Sequence, residues 1–178
     1  MQEVPRLAPT TEADWDPETR GIVLAAGRLN VFTTLAHHPK LLKRWLVFAA
    51  HILGKSSLPE REREILILRA GFRCGSAYEF GQHTVIGKRA GLSDDEIRRL
   101  AREGTTGWPE PDAELITAVD ELLEKKCLGE KSWQTLCDRF TTEQVMDLVF
   151  TVGQYTMLAM ALNSFGVQLE PGAPGFPE

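Results

Sequence analysis

The chain has 178 residues, of which 43% are apolar and 25% charged, enough for one globular domain with a real hydrophobic core. A net charge of −5 gives the molecule as a whole no pull toward nucleic acid or anionic lipid. Its two basic stretches, HHPKLLKR and IRRLAR, read as solvated helix faces.

The N-terminal MQEVPRLAPTTEADWD lacks the basic-then-apolar order of a secretory leader. Asp16 followed by Pro17 marks an N-cap and first turn, and PETRGIVLAAGRL continues as helix. His37-His38-Pro39 reads as a turn at a helix end. In HPKLLKRWLVFAAHIL, apolar residues at 41, 42, 45, 46 and 49 follow the helical period.

Ser57 and Glu60 have the spacing of a capping box, with Pro59 in the first turn of PEREREILILRAGF. The four residues ILIL suit a short buried strand, but they sit inside a longer helical pattern, so helix is expected. Gly75 permits a tight turn into SAYEFGQHTVIGKRAG, the next predicted helix.

Ser93 with Glu96, and Thr141 with Gln144, form two further capping boxes. Between them DAELITAVDELLEKKC is amphipathic, with Leu115, Ile116, Val119, Leu122 and Leu123 on one side. The longest irregular piece is EGTTGWPEPD. The last helix, EQVMDLVFTVGQYTMLAMALNSFG, is apolar nearly all round, although Asp147 and Gln154 interrupt it. It reads as a core or interface helix and not as a membrane span. Its Gln154 and Asn163 need structural or interface hydrogen bonds.

These elements predict an all-α, single-domain bundle of seven or eight helices spanning residues 1–178. The core runs from about 16 to 169, with extended N- and C-terminal arms. No repeat or second domain is visible. Three scattered cysteines (Cys74, Cys127 and Cys137) make no disulfide framework, which points to a reducing cytoplasm. A homo-oligomer is expected, because one small domain has little room to bury so apolar a helix.

The chemistry concentrates at Ser76, Glu79 and His83. Spaced i, i+3 and i+7, they share one helical stripe. Glu64 on the preceding helix can face Glu79 and His83 if the two helices pack side by side. A histidine beside two carboxylates in a partly apolar pocket can hold or relay a proton. Tyr78 and Gln82 can bond a substrate oxygen, and Trp45, Phe72 and Phe80 can wall the pocket. Spacing alone favours a second reading: Glu79 and His83 as a solvated i, i+4 pair. A metal held by Glu64, Glu79 and His83 is conceivable, but no ligand spacing demands it, and none is expected. His37 and His38, adjacent in sequence, chelate poorly. His51 reads as a core-edge residue within reach of the same pocket. No phosphate loop is present.

LPEREREILILRAGFRCGSAYEFGQHTVIGKRAGLSDDEI resembles the core of the carboxymuconolactone decarboxylase family, which includes the alkylhydroperoxidase-D-like proteins. The similarity rests on the run from Arg63 to Leu68, on Tyr78 to His83, and on Ala90 to Ser93, and extends over roughly residues 30 to 170. The resemblance implies an all-helical fold, assembly as a dimer, trimer or hexamer, and a pocket lined by the motif helices. The redox branch of that family carries C-x-x-C-x-x-x-H after an acid. Here Ser76 and Glu79 stand at the two cysteine positions, with Glu64 as the acid and His83 as the histidine. A dithiol peroxidase needs an attacking thiolate and a resolving thiol, and neither Ser nor Glu supplies one.

What remains is cofactor-free acid–base chemistry: decarboxylation, isomerisation or a related lyase step on a small carboxylated lactone or enoic acid. His83 would be the acid or base, tuned by Glu79 and Glu64. Ser76, Tyr78, Gln82 and Cys74 are the candidate substrate contacts, and Arg63, Arg69 and Arg73 the candidate cations. Two alternatives stand beside it: a thiol-linked peroxidase through Cys74, and a non-catalytic helical oligomer that binds a small molecule or a protein.

Overall fold

The computed structural model describes residues 4–177. Among them are nine α-helices, eight of them seven residues or longer, and no strand. A 3-10 turn at Glu12–Asp14 precedes α1 (Pro17–Ala26), α2 (Asn30–Leu35) and α3 (Pro39–Gly54). Then come α4 (Glu60–Arg73), α5 (Ala77–Arg89), α6 (Asp94–Leu100), α7 (Glu110–Lys125), α8 (Glu130–Arg139) and α9 (Thr142–Phe165). The six-residue α2 and the ten-residue α8 are the elements without a sequence expectation of their own.

Local chemistry sets most of the boundaries. Asp16 accepts the Thr19 backbone N–H at 2.7 Å, and Pro17 fills the first helical position. Both capping boxes, Ser93 with Glu96 and Thr141 with Gln144, are formed. His38 is the N-cap of α3, as the turn reading required. The box expected at Ser57 and Glu60 does not form. Pro59 is the N-cap of α4, and the Ser57 backbone N–H and hydroxyl donate instead to Asp147 on α9, at 2.6 and 2.8 Å. A carboxylate already held near this turn is a stronger acceptor than the local Glu60 alternative. Asp147 also holds His51 at 3.2 Å, so His51 anchors α3 to α9.

α4 is the central helix. It packs on α5, α6, α7 and α9, and every residue from Arg63 to Gly71 is buried. That explains the ambiguity of ILIL: a helix covered on all sides loses its amphipathic period and keeps only its apolar run. Ile65, Leu66, Ile67 and Leu68 all join the main core with Phe80, Leu115, Val119, Leu148 and Val152. Charged residues of α4 are drawn in only with partners. Arg69, with no exposed surface, meets Asp120 of α7 at 2.6 and 2.8 Å and also bonds the Arg102 carbonyl.

Gly75, at φ +63°, takes the left-handed conformation that reverses the chain between α4 and α5. Those two helices form an antiparallel hairpin. α9 is long and apolar enough to cross a membrane by length and composition, but it packs on α3, α4, α5, α7 and α8.

The two arms lie against the bundle. The Arg6 and Leu7 N–H groups donate to the Phe165 carbonyl at 2.9 and 3.0 Å. The C-terminal arm lies across α5, where Phe176 stacks on Phe80 and Phe72 with ring centroids 5.2 and 6.0 Å apart. It approaches so closely that a Cβ on Gly81 would sit 1.9 Å from the Pro174 carbonyl oxygen.

Candidate active site

The hairpin of α4 and α5 brings Glu64 and His83 together across 19 residues of sequence. His83 Nδ1–H donates to Glu64 Oε2 at 2.7 Å, and Glu64 Oε1 accepts from Arg63 Nε at 3.3 Å. Glu64, Glu79 and His83 are 0%, 2% and 6% exposed, so the solvated-pair reading of Glu79 and His83 does not hold. The carboxylate fixes the tautomer and orientation of the imidazole, leaving Nε2 as its working nitrogen.

His83 lines a cavity of about 240 Å³ between α2, α3, α5 and α9. Leu29, Phe32, Trp45, Leu46, Leu158 and Leu162 form its apolar wall. The polar side chains on it are Tyr78, Glu79, Gln82, His83, Gln154 and Tyr155, and no Lys or Arg lines it. Trp45 is a wall residue as expected, whereas Phe72 and Phe80 pack under the C-terminal arm.

Glu79 is buried beneath this surface. Both of its carboxyl oxygens lack a hydrogen-bond partner among the described residues, and Oε1 lies against α4 where Gly71 leaves room for it. Burial pushes its pKa well above the usual carboxylate range, because no cation or donor offsets the lost hydration. It lies one i, i+4 step from the imidazole.

Tyr155, which sequence reasoning missed, presents its ring edge-on to His83, with centroids 4.8 Å apart. Its phenol is held well above its ordinary pKa by burial and by the charges of Glu64 and Glu79. Gln154 beside it keeps an unpartnered buried Oε1, instead of the structural bond expected for it. The other polar residue flagged in the last helix, Asn163, does make a structural bond: its amide donates to the Cys74 carbonyl at 2.9 Å and closes the end of α4.

The remaining sequence candidates fall elsewhere. Ser76 is the buried N-cap of α5 and accepts the Glu79 N–H at 3.4 Å. Cys74 caps the far end of α4, off the cavity, and its thiol pKa is raised by burial and by Glu79. Tyr78 and Gln82 touch the cavity, but their polar ends are occupied by Glu170 of the C-terminal arm. Glu170 accepts from the Tyr78 hydroxyl at 2.8 Å, from the Gln82 amide, and from the Asn30 N–H at 2.7 Å. The Tyr78 oxygen also accepts the Val31 N–H at 3.2 Å. Arg69 and Arg73 are paired with Asp120 on the opposite side of α4, and Arg63 with Glu64. Among the described residues, no three His, Cys, Asp or Glu side chains converge as metal ligands.

The sequence profile of the carboxymuconolactone decarboxylase family matches residues 39–110, the segment that holds α3 to α6 and the Glu64–His83 pair. Over that segment the chain is similar to the carboxymuconolactone decarboxylase family. Its helical fold is that of the alkylhydroperoxidase-D-like proteins. An uncharacterized peroxidase-related protein from Ralstonia eutropha JMP134, described as an alkylhydroperoxidase AhpD core, superposes with a TM-score of 0.83 at 16% identity. The match covers 96% of this chain and 94% of that one. The debrominase Bmp8 superposes with a TM-score of 0.77 at 13% identity, over 92% of this chain and 91% of its own. An uncharacterized peroxidase-related protein from Silicibacter sp. TM1040 gives 0.77 at 13%, over 96% and 95%. No curated protein matches the chain in sequence. At these identities the structural neighbours establish the fold alone.

Proposed function

We propose that this chain is a member of the carboxymuconolactone decarboxylase family and a cofactor-free enzyme of proton transfer, catalysing an isomerisation or related lyase step on a small cyclic substrate. The observation that carries the reading is the Glu64–His83 pair buried beside an apolar cavity, with Nδ1 tied at 2.7 Å. His83 Nε2 takes a proton from a substrate carbon next to a carbonyl. The C–H electron pair passes into an enolate, and Glu64 stabilises the imidazolium that forms. Return of the proton from Nε2 to another carbon completes an isomerisation. In a lyase step the enolate electrons form a C=C bond as the bond to a β-leaving group breaks, and Nε2 gives its proton to that group. Apolar walls keep water from competing for the enolate.

The carboxylated lactone or enoic acid expected from the family resemblance finds no arginine or lysine on this cavity, so a cyclic carbonyl compound is the reading retained. A thiol peroxidase is not favoured, since Cys74 lies off the cavity with a pKa raised by burial. Self-association belongs to the same proposal, and its support is the exposed apolar stripe of α9.

The test is deuterium exchange at C6, the saturated carbon next to the carbonyl of 2-cyclohexen-1-one, in D2O, followed by NMR. Wild type should accelerate exchange and His83→Ala should not. Equal acceleration by His83→Ala and wild type would overturn the proposal.

A further inference from the structure

The cavity has two tyrosines, and they differ in what their hydroxyls already do. Tyr78 is spent within the fold, donating to Glu170 and accepting from the Val31 N–H. Tyr155 lines the cavity beside His83, and no hydrogen bond among the described residues engages its hydroxyl. That hydroxyl is not among the sealed polar atoms that lack a partner, so it keeps accessible surface from which a bound molecule can take its hydrogen bond.

The walls say what that partner is. Among the residues lining the cavity there is no Lys or Arg, and the polar groups nearest His83 carry no free positive charge. Burial disfavours the charged form of Glu79, and no cation stands beside it. A carboxylate or phosphate brought into such a site would lose its hydration and meet no fixed cation. A neutral carbonyl oxygen needs one donor, and Tyr155 offers one.

Resting on the acid–base reading of His83, we propose that Tyr155 donates the hydrogen bond to the substrate's carbonyl oxygen, and that the substrate is a small uncharged cyclic ketone, enone or lactone. In the reaction, His83 Nε2 removes the proton while Tyr155 holds the oxygen on which negative charge develops. The phenol keeps its own proton throughout, because burial and the neighbouring carboxylates disfavour the phenolate. Tyr155 thereby does the work of an oxyanion hole with a single side chain. The edge-on ring contact lets His83 and Tyr155 orient one another, so the base and the donor are set as a unit.

The experiment compares two probes of equal ring size, 2-cyclohexen-1-one and 1-cyclohexene-1-carboxylate, titrated at pH 7.5 by 1H–15N NMR. The enone should bind at least tenfold more tightly than the carboxylate. In Tyr155→Phe, which keeps the ring against His83, enone binding should weaken at least fivefold with the melting temperature unchanged. The carbonyl stretch of the bound enone should shift to lower frequency in the wild type and return in Tyr155→Phe. A carboxylate that binds as well as the enone overturns the proposal, as does an unshifted carbonyl in the wild type, and the latter needs no variant to fold. Deuterium exchange separates this idea from its parent. Exchange that survives in Tyr155→Phe at the wild-type rate removes Tyr155 and leaves His83. Tyr155-dependent binding without exchange leaves the subsite and removes the acid–base function.

Discussion

Glu64 and His83 form one buried unit, with Oε2 and Nδ1 2.7 Å apart and both side chains sealed between α4, α5 and α9. The carboxylate presents the ring and balances its charge, but it is not placed on the cavity wall itself. His83→Ala should lower kcat by about 10²- to 10⁴-fold, the usual range for losing a positioned acid–base group. Glu64→Gln keeps an acceptor and loses the charge, so kcat should fall while KM stays near the wild-type value. A double variant no slower than His83→Ala alone would show that Glu64 acts only through the histidine. Steady-state kinetics of the three variants on one substrate decides this.

Glu79 makes the protein's stability depend on pH in an unusual direction. Its folded-state pKa is raised well above the ordinary 4.5, so the native state keeps a proton that the unfolded chain has released. Stability from this group is fully present below pH 4.5 and is lost as pH rises toward the folded pKa. The slope is at most ~1.4 kcal/mol per pH unit for one proton. Urea unfolding from pH 5 to pH 8 should show this decline in wild type. Glu79→Gln, neutral at every pH, should flatten it. A variant with the wild-type slope would place the titrating group elsewhere.

Cys74 should be chemically quiet. Its thiol pKa is raised first by burial and then by Glu79, so little thiolate exists near neutral pH. Cys127 and Cys137 are exposed. Limited iodoacetamide treatment followed by mass spectrometry should label those two before Cys74. Peroxide consumption with a dithiol should not exceed the reagent background, in wild type or in Cys74→Ser. A rate that vanishes in the variant would bring back the thiol peroxidase.

The C-terminal arm should depend on Gly81. A Cβ there would fall 1.9 Å from the Pro174 carbonyl oxygen and 3.0 Å from Leu169 Cδ2, and the first of these is backbone. Gly81→Ala should therefore lift the arm, costing about 1–3 kcal/mol as an overpacked site does. Proteolysis should then remove the residues after 169 faster than in wild type. An arm equally protected in both proteins would contradict the close approach.

What the sequence shows and what it hides divide along range of contact. The caps at Asp16, Ser93 and Thr141 follow from partners three residues away, and the Glu64–His83 pairing follows from a single tight turn at Gly75. Ser57 had the same local signature as the other caps, but Asp147, 90 residues on, outcompeted Glu60. Glu170 reaches Tyr78 and Gln82 across 92 and 88 residues, which no local pattern encodes. Tyr155 follows Gln154 in an otherwise apolar helix, and that polar interruption was the one available sign of a site on α9.

α9 supplies the expectation of an oligomer with its geometry. Met146, Phe150, Met157 and Met160 are 56%, 54%, 50% and 65% exposed. With Gly153 they are spaced by four, three, four and three residues, the average period of 3.5 that holds one seam facing a partner helix. A second copy of the same helix would meet this seam with a like one, and Gly153 at its centre would add no side chain to hold the two backbones apart. Sedimentation should therefore find a dimer or a larger assembly. A double variant, Phe150→Glu with Met157→Glu, places charges on the seam and should yield a folded monomer with unchanged helical content. A wild type that sediments as a monomer would remove the oligomer, and a variant that stays assembled would move the interface off α9.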